Sequence, residues 1–258
     1  MAWQRIQIET MDRVAIATLN NPPANALSYQ TMKELHEAIE FLLRTPEVKV
    51  FILTGTGKFF VAGADINELK ESTPETMAEF NGLTDRVMGT LAHSFKPVVC
   101  AINGMAFGGG LELALASDIR ISVEAARFGF PEINLGLMPG AGGTQRLPRI
   151  VGTGRAKELI LTGRPITSTE ALQLGIVERV VSPEHLMDES LELARALAQK
   201  SAVALRIAKR SIMDGVELPL AQALELERKL FDELLATEDK VEGVAAFLEK
   251  RPPRFKDR

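Results

Sequence analysis

A mixed α/β fold is predicted for this chain by three observations. Short apolar, β-branched runs alternate with amphipathic segments through roughly the first two-thirds of the sequence. Beyond Ser182 the text becomes almost wholly helical, with few β-branched stretches. Glycine-rich turns stand where strands hand over to helices, notably at residues 108–110 and 140–143. A chain of 258 residues with 46% hydrophobic and 25% charged side chains can bury a substantial core.

The first element is a β-hairpin, from the alternation of Ile6 and Ile8 and then Val14, Ile16 and Thr18 around Met11-Asp12-Arg13. After the turn-forming N-N-P-P-A-N, Ser28 is placed to cap a helix with Met32, Leu35, Ile39 and Leu42–Leu43 on one face. V-K-V-F-I-L at residues 48–53 reads as a strand ending in T-G-T-G, and residues 75–94 as a helix weakened by Gly82 and Gly89. Pro97 opens another strand, the glycine run at 108–110 opens a short helix, and I-R-I-S-V from Ile119 is strand again. Ser182-Pro183-Glu184 is a helix-start signature ahead of an amphipathic stretch at 186–200. Helices are expected over 202–214, 219–236 and 238–250. The expected division is an α/β core over residues 1–195 and a helical region over 196–258.

Thirty basic against thirty-four acidic residues give a net charge of −4, which disfavours a nucleic-acid partner. Cys100 is the only cysteine, in the strand-like P-V-V-C-A-I-N, so it reads as a small core residue in a reducing compartment. The opening residues lack a basic-then-apolar leader pattern and no apolar stretch is long enough to span a bilayer. The expectation is a soluble, cytoplasmic protein. There is no G-x-S-x-G elbow, no phosphate loop and no G-x-G-x-x-G, and His36, His93 and His185 lack metal-ligand spacing. No metal is expected.

Two glutamates carry the chemistry. Glu112 lies just after Gly108-Gly109-Gly110, in the first turn of the expected helix. Three successive glycines are costly in conformational entropy and bare the backbone N–H groups to an anionic oxygen. The positive helix end favours an ionised Glu112. Glu132 follows Pro131 among Phe128, Phe130, Ile133 and Leu135, surroundings that raise a carboxyl pKa and suit a proton donor; a surface helix-start glutamate is the alternative. A-G-A-D-I at residues 62–66 is either a ligand-facing turn or a tight turn with Asp65 capping a short helix. G-A-G-G at 140–143 either shapes a pocket or leads into a helix before Thr144. Two carboxyls and an anion-holding turn are equipment for proton transfer beside a carbonyl.

A-G-A-D-I, G-M-A-F-G-G-G-L-E-L-A and F-G-F-P-E-I-N-L-G-L-M-P-G-A-G-G-T-Q-R-L together resemble the crotonase (enoyl-CoA hydratase/isomerase) family, most nearly its short-chain enoyl-CoA hydratases. The likeness runs from about Gln4 to the C-terminal R-F-K-D. It implies a spiral of ββα turns and C-terminal helices that build trimers, or dimers of trimers. It also implies an acyl-CoA thioester substrate and no separate cofactor. Glu112 and Glu132 match the two catalytic acids, and the N–H groups of Ala64 and Gly109 the donors to the thioester oxygen. Ala24, Ala26, Leu27, Ala62, Ala64, Asp65, Ile66 and Gly109 match substrate-binding positions. Phe231 and Lys250 match positions that reach CoA from the C-terminal helices, including those of a neighbouring subunit. Asn67 departs from the pattern, since many members carry lysine there. The activity implied is hydration of a 2-enoyl-CoA. An enoyl-CoA isomerase and a non-catalytic CoA- or RNA-binding scaffold are the alternatives.

Overall fold

β1 (Ile6–Met11) and β2 (Val14–Leu19) form the expected hairpin, paired antiparallel with Met11 opposite Val14, in a computed structural model that describes residues 3–258. Asp12 and Arg13 make the turn at φ 48° and 67°, the left-handed pair whose twist suits two adjacent strands. The Ser28 side chain accepts from the Thr31 N–H and starts α1 (Tyr29–Arg44), which buries Met32, Leu35, Ile39 and Leu42. β3 (Val50–Gly55) is buried along its length up to Gly55, as a central parallel strand must be.

From β3 onward the chain repeats one motion. β3 is followed by the three-residue β4 (Phe59–Val61), then α2 (Ile66–Glu71) and α3 (Pro74–Ala92). β5 (Val98–Ile102) is followed by β6 (Met105–Phe107) and α4 (Gly109–Leu115). β7 (Ile119–Val123) is followed by β8 (Arg127–Gly129), a 3₁₀ turn at Pro131–Leu135, α5 (Gly143–Val151) and α6 (Thr153–Thr162). The first strand of each pair joins a larger sheet whose order begins β1-β2-β3-β5-β7, and the second a smaller sheet whose order begins β4-β6-β8. Within those turns the new pairings are parallel. The path is therefore a spiral of ββα turns, as the resemblance implies.

β9 (Ile166–Thr167) closes the smaller sheet antiparallel to β8, and β10 (Arg179–Val181), after α7 (Ser168–Gln173), closes the larger one beside β7. A 3₁₀ turn at Pro183–His185 leads into α8 (Leu186–Ala198), which lies against β2, β3, β5 and β7. α9 (Ala202–Gly215) and α10 (Leu220–Leu235) pack on each other around a cluster of Val203, Ile207 and Leu230, and α11 (Glu238–Leu248) follows. The last residues tie back to the start: Asp257 meets Lys49 at 2.6 Å and Arg13 at 2.7 Å. Among the described residues no helix is long and apolar enough to cross a membrane. Cys100 is buried in β5, where burial pushes its thiol up to about 12.

Candidate active site

The smaller sheet sets out the site. β4, β6 and β8 lie side by side and parallel, and Ala64, Gly109 and Glu132 each follow within three residues of a strand end. Three remote stretches of sequence thus arrive at one edge.

The two backbone donors arise differently. Leu27 and Ala64 form an isolated parallel bridge, in which the Leu27 N–H donates to Gly63 O at 2.8 Å and the Asp65 N–H to Leu27 O at 3.3 Å. That pattern uses the amides on either side of Ala64. Gly109 is the first residue of α4, whose opening amides have no partner within the helix. Neither the Ala64 nor the Gly109 N–H donates to another group among the described residues. The Asn25 side chain fixes the first donor's surroundings by giving its amide to the carbonyls of Phe59 and Phe60, at 2.9 and 3.1 Å. Asn103 does the same from the next turn, donating to Phe59 O at 3.2 Å.

Glu112 is 2% exposed on the buried face of α4. Its Oε1 accepts from the Ala141 N–H at 2.7 Å and the Gly143 N–H at 2.8 Å. Gly140 and Ala141 line the cavity and Gly143 begins α5, so both readings of G-A-G-G hold at once. Burial pushes the Glu112 pKa up, opposed by the two amides and by the Arg146 guanidinium; the net direction is upward. Desolvation thus works against the ionised form that the helix end was expected to favour. With both donors on one oxygen, Oε2 is left for a proton or a water.

Glu132 sits in the first turn of the Pro131–Leu135 3₁₀ helix. Burial raises its pKa to about 7, and the nearby Glu112 charge adds to the rise. Its Oε2 is buried without a hydrogen-bond partner among the described residues. Of its apolar neighbours in sequence, Phe128 and Phe130 are buried, whereas Ile133 and Leu135 are exposed in the single chain. Gly108, at φ 52°, is required here, because a Cβ would lie 2.8 Å from Glu132 Oε1.

These groups open on one cavity of about 540 Å³. Ala24, Ala26, Leu27, Ala62, Ala64, Asp65, Ile66, Gly109, Glu112 and Glu132 all line it. Asp65 also caps α2, accepting from the Asn67 N–H at 2.9 Å, so the turn at 62–66 serves both as helix start and as cavity wall. Phe231 and Lys250 do not line the cavity of the single chain; Phe231 is 57% exposed on α10. The sequence reading missed the opposite wall, where Met77, Phe80, Asn81, Thr84 and Met88 of α3 face the cavity. Their i, i+3, i+4, i+7 spacing was visible, but it reads equally as a core-facing stripe. Among the described residues no three His, Cys, Asp or Glu side chains gather as a metal-ligand set.

Two carboxyls with raised pKa values and two unpaired amides facing one cavity can polarise a carbonyl and move protons beside it. Comparison with known proteins points to the same chemistry. The enoyl-CoA hydratase/isomerase family model matches residues 9–258. The short-chain-enoyl-CoA hydratase of Clostridium acetobutylicum is 43% identical over 253 residues, covering 97% of each chain. The crotonyl-CoA hydratase of Syntrophomonas wolfei is 40% identical over 257 residues, 99% of each. The crystal structure of an enoyl-CoA hydratase from Bacillus anthracis superimposes with a TM-score of 0.96 at 40% identity, over 99% of this chain and all of that one. The chain belongs to the enoyl-CoA hydratase/isomerase family.

Proposed function

We propose that the protein is an enoyl-CoA hydratase, adding water across the 2,3 double bond of a 2-enoyl-CoA to give a 3-hydroxyacyl-CoA. What carries this reading is the pair of carboxyls, Glu112 and Glu132, on one cavity with the free N–H groups of Ala64 and Gly109. Addition of water at Cβ drives charge onto the thioester oxygen. Two preorganised amides stabilise such an oxyanion by about 3–4 kcal/mol each, judged from single-donor losses in other enzymes. Glu112, held through Oε1, turns Oε2 to the water and takes its proton as the C–O bond forms. Glu132, protonated over much of the neutral range, gives its proton to Cα. The roles reverse for dehydration. The reading calls for no metal or redox cofactor, and CoA is part of the substrate.

The same reading divides the chain into a spiral core over residues 1–195 and an oligomerising region over 196–258. Ile212, Leu220, Phe231, Phe247 and Leu248 leave apolar surface exposed on α9, α10 and α11, more than a lone chain in water normally carries. A trimer, or a dimer of trimers, covers it and brings Phe231 and Lys250 to a neighbour's CoA. A single buried thiol suits a reducing compartment, and the cytoplasm is the location proposed.

The experiment is loss of the conjugated enoyl-thioester absorbance of crotonyl-CoA with wild-type, Glu112→Gln and Glu132→Gln protein. Each variant keeps its shape and is expected to lose about 10²–10⁴-fold in turnover, with the Kd of CoA esters little changed. Full hydration by either variant overturns the two-acid mechanism. Faster conversion of a 3-enoyl-CoA than of crotonyl-CoA, with one variant active, makes the protein an isomerase instead.

A further inference from the structure

Arg146 stands apart from the other arginines of its stretch. Arg149 and Arg155 are exposed and pair with Glu217 and Glu158. Arg146 is half-buried on α5, and burial pulls its guanidinium below the ordinary value. The carboxylate whose charge opposes that fall is Glu112. A cation taken partly out of water is unfavourable unless its charge is used.

Ala141 joins the two groups. Its N–H donates to Glu112 Oε1 at 2.7 Å, and its carbonyl accepts from Arg146 Nη1 at 2.9 Å. The Arg146 backbone N–H holds the next residue, donating to Gly142 O at 2.7 Å. Gly142 lies at φ 104°, and a Cβ there would collide with the guanidinium, so the Arg146 head group lies over the turn. The Gly143 N–H then completes the grip on Glu112 at 2.8 Å. One side chain thus braces the turn whose amides face Glu112. Arg146 does not line the cavity, so it acts through the turn and not on the substrate.

The proposed hydration makes a demand that burial alone does not meet. Glu112 must be ionised while Glu132 is protonated, yet desolvation pushes both carboxyls up. Two such acids share one proton unless something separates them. The charged groups around Glu112 are few. Glu132 comes from the 3₁₀ turn and Asp65 from the start of α2, and both are acids. β4 and β6, which pack on α4, carry no charged side chain. Arg146 of α5 is the cation that acts on Glu112. The Glu132 carboxyl has no such partner, and its Oε2 is without a hydrogen bond among the described residues.

Resting on the hydratase reading above, we propose that Arg146 is a positioning residue that keeps Glu112 the ionised member of the pair, by bracing the turn at 140–143 and setting its charge behind it.

The test compares wild type with Arg146→Lys, which keeps the charge, Arg146→Gln, which keeps a donor, and Arg146→Met, which keeps only the stem. Two quantities are measured. One is the pH profile of kcat/KM for crotonyl-CoA. The other is the titration of the Glu112 carboxyl by carbon-13 NMR without substrate, assigned by its loss in Glu112→Gln. In Arg146→Gln and Arg146→Met the acid limb and the NMR midpoint should rise together by about one pH unit. Below the limb that is a loss of about tenfold in kcat/KM, shrinking towards neutral pH. Arg146→Met should lose further activity at every pH, because Ala141 O is released. Arg146→Lys should return both limb and midpoint to wild type, and with Arg146→Gln it carries the comparison if Arg146→Met does not fold. The NMR midpoint needs no turnover, so a shifted midpoint in a protein that hydrates nothing sinks the hydratase reading and leaves this inference standing. An unmoved midpoint in Arg146→Gln, or one raised equally in Arg146→Lys, overturns it. So does a fall in melting temperature and turnover with the acid limb unmoved, which marks a purely structural arginine.

Discussion

Glu132 holds an oxygen that is buried, unpaired and attached to a carboxyl titrating at about 7. In the mechanism proposed above, hydration needs its protonated form, whose fraction falls as pH rises through that value. The kcat/KM for crotonyl-CoA should therefore decline about tenfold per pH unit above pH 7, and that for dehydration of 3-hydroxybutyryl-CoA should decline in parallel, because both directions run through the same singly protonated pair of acids. A flat hydration profile from pH 6 to 9 would remove Glu132 as the acid. Stability follows the same linkage: a carboxyl whose folded pKa lies above its unfolded value, here 4.5 raised to about 7, contributes fully below pH 4.5. That contribution is lost as pH rises through the folded value. Glu132→Gln should gain in melting temperature relative to wild type between pH 5 and pH 8. Both glutamates were legible in the sequence because acids in apolar text need a reason. The amides of Ala141 and Gly143 that hold Glu112 were not, because backbone donors leave no mark in residue type.

Among the elements, α4 is the most tightly fitted against the smaller sheet. A Cβ at Gly110 would overlap the Val61 carbonyl oxygen of β4, which is backbone and cannot swing aside. At Gly109 the nearest atom to a Cβ is Leu27 Cδ1 at 3.0 Å, the tip of a movable side chain. Gly110→Ala should consequently cost about 1–3 kcal/mol and displace the first amide of α4, lowering both melting temperature and turnover. Gly109→Ala should fold normally and keep its N–H, whereas Gly109→Pro removes that donor and should abolish turnover. Equal melting temperatures for the two alanine variants would mean that α4 is free to shift. The hairpin, α1, β3, β5, β7 and the late helices could be read from their periodicity. The smaller sheet could not, since β4, β6 and β8 are three residues each, too short for an alternation to register. α3 survives Gly82 and Gly89 because Leu83, Val87, Met88 and Leu91 bury its face.

At the scale of the whole molecule, the last residues lock the helical region to the core. The Lys49 side chain is 4% exposed and its ammonium faces Asp257, which also accepts from the Ala202 N–H at 2.9 Å. Asp257→Ala leaves that cation buried without its counter-charge, a change that should cost about 3 kcal/mol in chemical denaturation. A loss under half a kcal/mol (~0.5) would show Lys49 hydrating itself by local opening. The apolar surface of α9, α10 and α11 leads to the complementary expectation that light scattering finds an oligomer at micromolar concentration. A stable monomer there would leave Phe231 and Lys250 with no cavity to reach. The sequence displayed those apolar positions; whether they bury each other or a neighbour depends on how three helices are aimed, which no local pattern encodes.

The row of strand ends at β4, β6 and β8 bears on how such a protein can change its chemistry over time. Neighbouring parallel strands stand about 4.8 Å apart whatever the loops between them do. The distance between the peptide that follows β4 and the one that follows β6 is therefore inherited from the ladder. A lineage can lengthen, shorten or re-letter the segment after β8, exchanging Glu132 for another group, while the pair of amides proposed to grip a thioester oxygen stays in place. New reactions are reachable through one segment at a time, each intermediate still able to hold its substrate.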